Sequence, residues 1–241
     1  MMKNIARNIR DTLYFETYKK RQTVEIEGVK LILHDPMVSK RMFYVMNKGY
    51  ERGDALLAGR VLDSSDAVLE VGSSVGFMAL YCISKIGVAN YVMVEANSDV
   101  CAVAERNFTL NGLAIPQVIN APVCAEAGPV VFNKNRDFWS SSIADRKNTK
   151  QSIVMEGETL GTITAKIDFV PNCLIMDIEG AEIGIPIDQF AMFEKLIIEV
   201  HPGISGPQCV ANFISTLTES GFEIIDKQDS TYAFARQNKG N

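Results

Sequence analysis

Apolar positions follow two rhythms along this chain. Residues 4–20 place Ile5, Ile9, Leu13 and Tyr14 at helical spacing, and residues 24–33 alternate apolar and polar side chains about Glu27-Gly28. That pattern predicts an N-terminal helix followed by a short hairpin. Residues 50–62 put Leu56, Leu57 and Val61 on one helical face. From residue 67 strands and helices alternate: a strand at 67–71, a helix at 75–86, a strand at 91–95 and a helix at 99–110 with Ser98 as its N-cap. Strands are also predicted at 116–120, 174–177 and 196–200, with a helix near 187–193. A helix at 208–220 ends at Gly221, and 222–225 with 231–234 reads as a terminal strand pair. The fold class is therefore α/β, a Rossmann-like, mostly parallel sheet with helices on both faces. Residues 1–49 form an N-terminal extension and 50–241 one compact domain. Ligands in such a sheet bind at the carboxyl ends of its strands.

Residues 133–152 break the alternation. They are polar and hold Trp139, the sole tryptophan, with five Lys or Arg side chains. A segment of that length and composition is a candidate lid or acceptor platform through Trp139 and Ser140 to Ser142, and Trp139 could equally anchor a loop.

Composition narrows the class. With 24 Lys and Arg against 29 Asp and Glu the net charge is −5, and the longest basic run is Lys19-Lys20-Arg21, so nucleic acid is not expected as a partner. No apolar stretch reaches signal-peptide or membrane-spanning length, which predicts a soluble, cytoplasmic protein without a membrane partner. Five scattered cysteines suggest neither a disulfide framework nor a zinc spacing and read as reduced core residues. The N-terminal helix and hairpin could cover an active site, mediate a homo-oligomer or extend the core.

Chemistry concentrates at strand ends. The strand at 67–71 runs into Gly72-Ser73-Ser74-Val75-Gly76 and then a helix. A dinucleotide site wants a third glycine that lets a pyrophosphate sit on the helix N-terminus, whereas two glycines four apart favour a nucleoside ligand without phosphates. Glu70 before this turn could accept hydrogen bonds from an amino-acid ammonium. Nineteen residues beyond Gly76 the next strand ends in Glu95-Ala96-Asn97, where a carboxylate can hold both ribose hydroxyls. Asp177-Ile178-Glu179-Gly180-Ala181-Glu182 and Glu199-Val200-His201 end two further strands, so carboxylates and one of two histidines converge at one edge. Such a group can act as a general base on a hydroxyl or hold a divalent metal. His201 is the better base, because imidazole titrates near neutrality. Asp177, Glu179 and His201 as metal ligands is the lesser alternative, since no ligand pair lies four apart on a helix, and no metal is assigned.

These motifs resemble those of the FkbM-type methyltransferases. EVGSSVG is similar to that family's D-V-G-A-N-x-G loop, VEAN to its F-E-P-N strand end, LIMDIEGAE to its L-K-I-D-V-E-G-x-E signature and IIEVHP to its fifth strand; Tyr50-Glu51 resembles its upstream tyrosine and glutamate. The resemblance spans about residues 45–205. It implies a class I seven-stranded sheet, S-adenosylmethionine as donor, and methyl transfer to a hydroxyl oxygen of a sugar, glycan or secondary metabolite. It further implies that Glu70, Gly72 and Gly76 line the methionine part of the donor, Glu95 the ribose and Ala121-Pro122 the adenine edge. Ser73, Ser74, Phe77, Ala96 and Asn97 complete the donor loops, and Asp177 and Glu179 flank the transferred methyl. Two other readings compete: a nicotinamide-dependent reductase, against which the missing glycine argues, and a non-catalytic nucleoside-binding module.

Overall fold

In the computed structural model, which describes residues 2–134, 143 and 151–237, the alternating pattern becomes one sheet of seven strands. Its order is β10-β11-β9-β8-β3-β4-β5, from β3 (Ala67–Val71), β4 (Asn90–Val94), β5 (Gln117–Ile119), β8 (Cys173–Met176), β9 (Lys195–Glu199), β10 (Phe222–Gln228) and β11 (Thr231–Arg236). β3, β4, β5, β8 and β9 pair in parallel, and β11 lies antiparallel between β9 and β10. The strands at the centre are apolar throughout because helices cover both faces: every residue of β8 is buried. Strand order reverses between β3 and β8, which opens a crevice beyond their carboxyl ends.

Two buried clusters lie against the two faces. Val68, Met93, Ile175 and Ile197 point into the first, with α3 (Arg52–Val61), α4 (Phe77–Tyr81) and α5 (Ser98–Asn111). Leu69, Val94, Met176 and Ile198 point into the second, with α6 (Leu160–Thr164) and α8 (Pro207–Glu219). The first cluster also takes in Ile26, Val29 and Leu31 of the hairpin β1 (Thr23–Ile26) and β2 (Val29–Ile32), and Met42, Phe43 and Met46 of α2 (Lys40–Met46). No helix among the described residues is long and apolar enough to cross a membrane.

Several local expectations change. α1 (Met2–Tyr18) forms, but its stripe of Ile5, Ile9 and Leu13 is 54%, 55% and 63% exposed, while Tyr14 and Phe15 pack on Phe43. In α3 the buried side chains are Ala55, Leu57 and Ala58, and Leu56 faces outward. Asn97, not Ser98, caps α5, its side chain accepting from the Asp99 amide. The helix expected at 75–86 is α4 continued by a π-turn, Cys82–Ile86, and that near 187–193 is a 3-10 turn, Ile187–Met192. Cys209 is exposed on α8, unlike the four buried cysteines. The polar insertion is flanked by paired strands: β6 (Gly128–Lys134) and β7 (Gln151–Gly157) form an antiparallel hairpin with Lys134 opposite Gln151. Trp139 and Ser140 to Ser142 lie outside the described residues. α2, α6 and the four-residue α7 (Pro202–Ser205) were not predicted; Ser39 caps α2 by accepting from the Met42 amide.

Candidate functional site

The turn after β3 is built around a backbone contact that only glycine allows. Gly72 has φ +87°, and a Cβ there would lie 1.7 Å from the carbonyl oxygen of Asp177 at the end of β8. Gly72 and Ser73 donate their amides to the Val94 carbonyl at 2.9 and 3.1 Å, which ties the turn to β4. Ser74 adopts φ +49° and donates its amide to Glu95 Oε2 at 3.0 Å, while Glu95 Oε1 accepts from the Asn97 amide at 2.7 Å. One carboxylate therefore pins both strand-end loops. Burial holds the Glu95 carboxyl above its ordinary pKa, against the lowering effect of the Asn97, Ser74 and Ala96 amides.

These loops wall a cleft of about 570 Å³, open solvent included, at the crevice between β3 and β8. Gly72, Ser74, Glu95, Ala96, Ala121, Pro122, Asp177 and Glu179 line it, with Tyr50, Phe132 and Ile143. Four sequence candidates sit behind this wall. Phe77 is fully buried in the core beside Tyr50, with ring centroids 6.4 Å apart; Ser73 and Asn97 are 2% exposed; and Gly76 packs against Ala104 and Phe108. They shape the loops from within, because a helix starting at Phe77 turns its first side chain toward the sheet. Phe132 and Ile143 were not legible in the sequence, since they reach the cleft only through the β6–β7 hairpin.

At its inner end the cleft meets carboxylates. His201 Nε2 lies 3.4 Å from Asp177 Oδ1, 3.7 Å from Glu179 Oε2 and 4.0 Å from Glu199 Oε1, and its Nδ1 is 3.2 Å from Glu182 Oε1. Glu182, fully buried, also accepts from the amides of Gly180 (2.8 Å) and His201 (3.2 Å). Glu179 and Gly180 take φ +58° and +100° to bring this loop round. Burial alone would lower the imidazole pKa, but the Glu182 hydrogen bond and the charges of Glu182, Glu179 and Glu199 outweigh it and hold His201 above its ordinary 6.5. Burial, then Glu199, Glu179, Glu51 and Glu182, lift Asp177 well above the usual carboxylate range. Glu70 points to the first face of the sheet, where it accepts a 3.0 Å hydrogen bond from the Tyr91 hydroxyl and lines a smaller pocket with Glu51, Asp54, Gly72, Asp177 and Glu199.

A second, more open cleft of about 900 Å³ adjoins the first, and the two share Tyr50, Asp177 and Glu179. Its other lining comes from Glu51, Asp54, Glu199 and His201 on one side and from Arg7 of α1 with Arg41 and Val45 of α2 on the other. The N-terminal extension thus forms part of this cleft. Arg7, Arg41 and Asp54 carried no sequence signal, because their approach depends on how α1 and α2 pack.

No protein-family model matches the sequence, and no curated protein sequence matches it. Solved structures do. A tRNA (uracil-54, C5)-methyltransferase of Pyrococcus abyssi, solved in complex with S-adenosyl-L-homocysteine, is similar with 11% identity and a TM-score of 0.50, over 90% of this chain and 44% of that one. The fibrillarin pre-rRNA processing protein of Methanococcus jannaschii is similar with 12% identity and TM-score 0.49, over 90% of this chain and 83% of that one. A ribosomal protein L11 methylase of Lactobacillus delbrueckii subsp. bulgaricus is similar with 15% identity and TM-score 0.48, over 79% and 81%. The exclusion of nucleic acid drawn from net charge is thereby corrected: a tRNA methyltransferase is among the structures this chain is similar to. Net charge sums a whole surface, whereas phosphate binding depends on a local patch. At these identities what is shared is the fold, a Rossmann-like, mostly parallel seven-stranded sheet of the class I methyltransferase type.

Proposed function

We propose that this chain is an S-adenosylmethionine-dependent methyltransferase that methylates a hydroxyl oxygen of a sugar, glycan or small metabolite. The observation that carries the reading is the meeting of two clefts at Tyr50, Asp177 and Glu179. A group-transfer enzyme needs such an arrangement, with a donor and an acceptor held on opposite sides of one point. The wall of the first cleft suits a nucleoside: Glu95 would hold the ribose hydroxyls, Ala96, Ala121 and Pro122 the adenine, and Gly72 the methionine part, whereas Glu70, expected at its ammonium, is buried against Tyr91 on the other face of the sheet. When bound, the donor supplies an electrophilic methyl on a sulfonium.

The chain's own residues do the rest. Asp177 and Glu179 flank the transfer point, where a cationic sulfonium would draw the Asp177 carboxyl back toward its ionised form and be stabilised by it. Glu182 on Nδ1 orients His201 so that Nε2 faces the shared end of the clefts, where it can take the acceptor's proton. Val71, Val94, Val123 and Phe132 make the donor wall apolar and keep water from the reacting atoms. The hydroxyl acceptor follows the FkbM-type resemblance of the Asp177-to-Glu182 and Glu199-to-Pro202 segments.

Calorimetric titration tests the donor site. S-adenosylmethionine and S-adenosylhomocysteine are expected to bind with micromolar Kd, and Glu95→Ala to weaken both about 10- to 100-fold, as for loss of hydrogen bonds to a charged group. Failure of both ligands to bind the wild-type chain would end the reading. Activity on an acceptor found by screening is expected to rise with pH through a value above 6.5, because His201 must first release the proton that its carboxylate neighbours hold. A pH profile flat from 6 to 9 would remove His201 as the base.

A further inference from the structure

Among the described residues, four carboxylates gather around one imidazole at the inner end of the two clefts. Asp177, Glu179, Glu182 and Glu199 all have an oxygen within 4.0 Å of a His201 ring nitrogen. The basic side chains of that cleft, Arg7 and Arg41, come from α1 and α2, and Arg41 lies 3.7 Å from Asp11. Asp177 Oδ1 is shielded from solvent and has no hydrogen-bond partner, although it faces Nε2. A shielded carboxylate oxygen left in that state is unfavourable unless a ligand completes it.

We propose that Asp177, Glu179 and His201 bind one divalent cation, with Glu199 in reach as a further ligand. One donor atom from each of the three lies within 4.8 Å of the others. Around a cation with metal–ligand distances of about 2.0–2.2 Å, neighbouring donors of a tetrahedral site stand roughly 3.3–3.6 Å apart. The Nε2 separations of 3.4 Å to Asp177 and 3.7 Å to Glu179 need shifts of only a few tenths of an ångström to meet that spacing. Glu182 supplies the other half of a metal-binding histidine: its carboxylate on Nδ1 fixes the ring and leaves Nε2 as the donor. Two carboxylates and one imidazole suit Mn²⁺, Fe²⁺ or Zn²⁺.

The proposal changes one role in the preceding reading, on which cation binding itself does not depend. With a cation bound, Nε2 would be a ligand and not the base, and Glu199, where it does not itself coordinate, would take the acceptor's proton.

Titration of metal-stripped protein with Mn²⁺, followed by electron paramagnetic resonance, tests this without donor or acceptor. One Mn²⁺ per chain is expected, with affinity reduced at least 10-fold in Asp177→Asn and in His201→Ala, and about 10- to 100-fold in Glu182→Gln. Thermal unfolding, measured in parallel, checks that each variant is folded. Wild-type protein that binds S-adenosylhomocysteine but no Mn²⁺, Zn²⁺ or Mg²⁺ at millimolar concentration would overturn the cation site and leave the methyltransferase reading standing. Binding that survives unchanged in both Asp177→Asn and His201→Ala would overturn it as well. Mn²⁺ binding without homocysteine binding would instead uphold the cation site and end the methyltransferase reading.

Discussion

Gly72→Ala is expected to destabilise the protein by about 4 kcal/mol or more, among the largest effects open to a single methyl group. The new Cβ would sit 1.7 Å from the Asp177 carbonyl oxygen, about half an ordinary contact distance, and the φ of +87° strains any L side chain besides. Relief requires β3 and β8 to part at their carboxyl ends, where Asp177 donates its amide to Val71 at 3.0 Å. Thermal unfolding should move down by roughly 8–16 °C for a chain of this size. Gly112→Ala is the control. Gly112 has φ +67° but nothing within 4 Å of an added Cβ, so it should lose only the backbone preference, about 1 kcal/mol. Equal losses in the two variants would show that the Asp177 contact is not what demands glycine at 72. S-adenosylhomocysteine binding should vanish in Gly72→Ala alone.

The second large effect is a fall in stability with rising pH, traced to Glu70. Burial pushes its carboxyl up to about 8, the Tyr91 hydroxyl offsets part of that, and the Glu95 charge adds to it. In the unfolded chain the same group titrates near 4.5. Between those values the folded state holds a proton that the unfolded state has released, so the contribution of Glu70 is complete below about pH 4.5 and is lost as pH climbs to about 8. The span corresponds to about 5 kcal/mol at most. Glu70→Gln keeps the shape and an acceptor for Tyr91 without the titration. It should therefore gain over wild type by about 5 kcal/mol at pH 8.5 but by only about 1.4 kcal/mol at pH 5.5, as read from urea midpoints. A wild-type and variant pair with parallel pH dependence would remove Glu70 as the cause.

The sheet was legible because its central strands are buried on both faces and so appear as largely apolar runs: YVMV, LIM and LII are unbroken, and VLEV is interrupted only by Glu70. The placement of the candidate site residues was legible for a related reason. Glu95, Asp177, Glu179 and His201 each follow such a run, and a parallel sheet brings the carboxyl ends of its strands to one edge. Hence these four side chains and the Gly72 turn stand at the same pair of clefts.

What local pattern could not supply was which surface covers which. Ile5, Ile9 and Leu13 announce a helix, but the helix turns them outward and packs through Tyr14 and Phe15. Phe77 stands in the middle of the donor motif yet points into the core, and Phe132 reaches the cleft from a hairpin whose strands alternate only weakly. Arg7, Arg41, Glu51 and Asp54 join a site centred on Asp177, more than a hundred residues away in sequence. By itself the sequence determined the sheet, the helices α1, α3, α4, α5 and α8 and the strand-end turns, because backbone periodicity and glycine conformation act within a few residues. The tertiary structure alone decided how the N-terminal extension closes the second cleft and how four carboxylates come to surround one imidazole, because those contacts exist only once distant segments have packed.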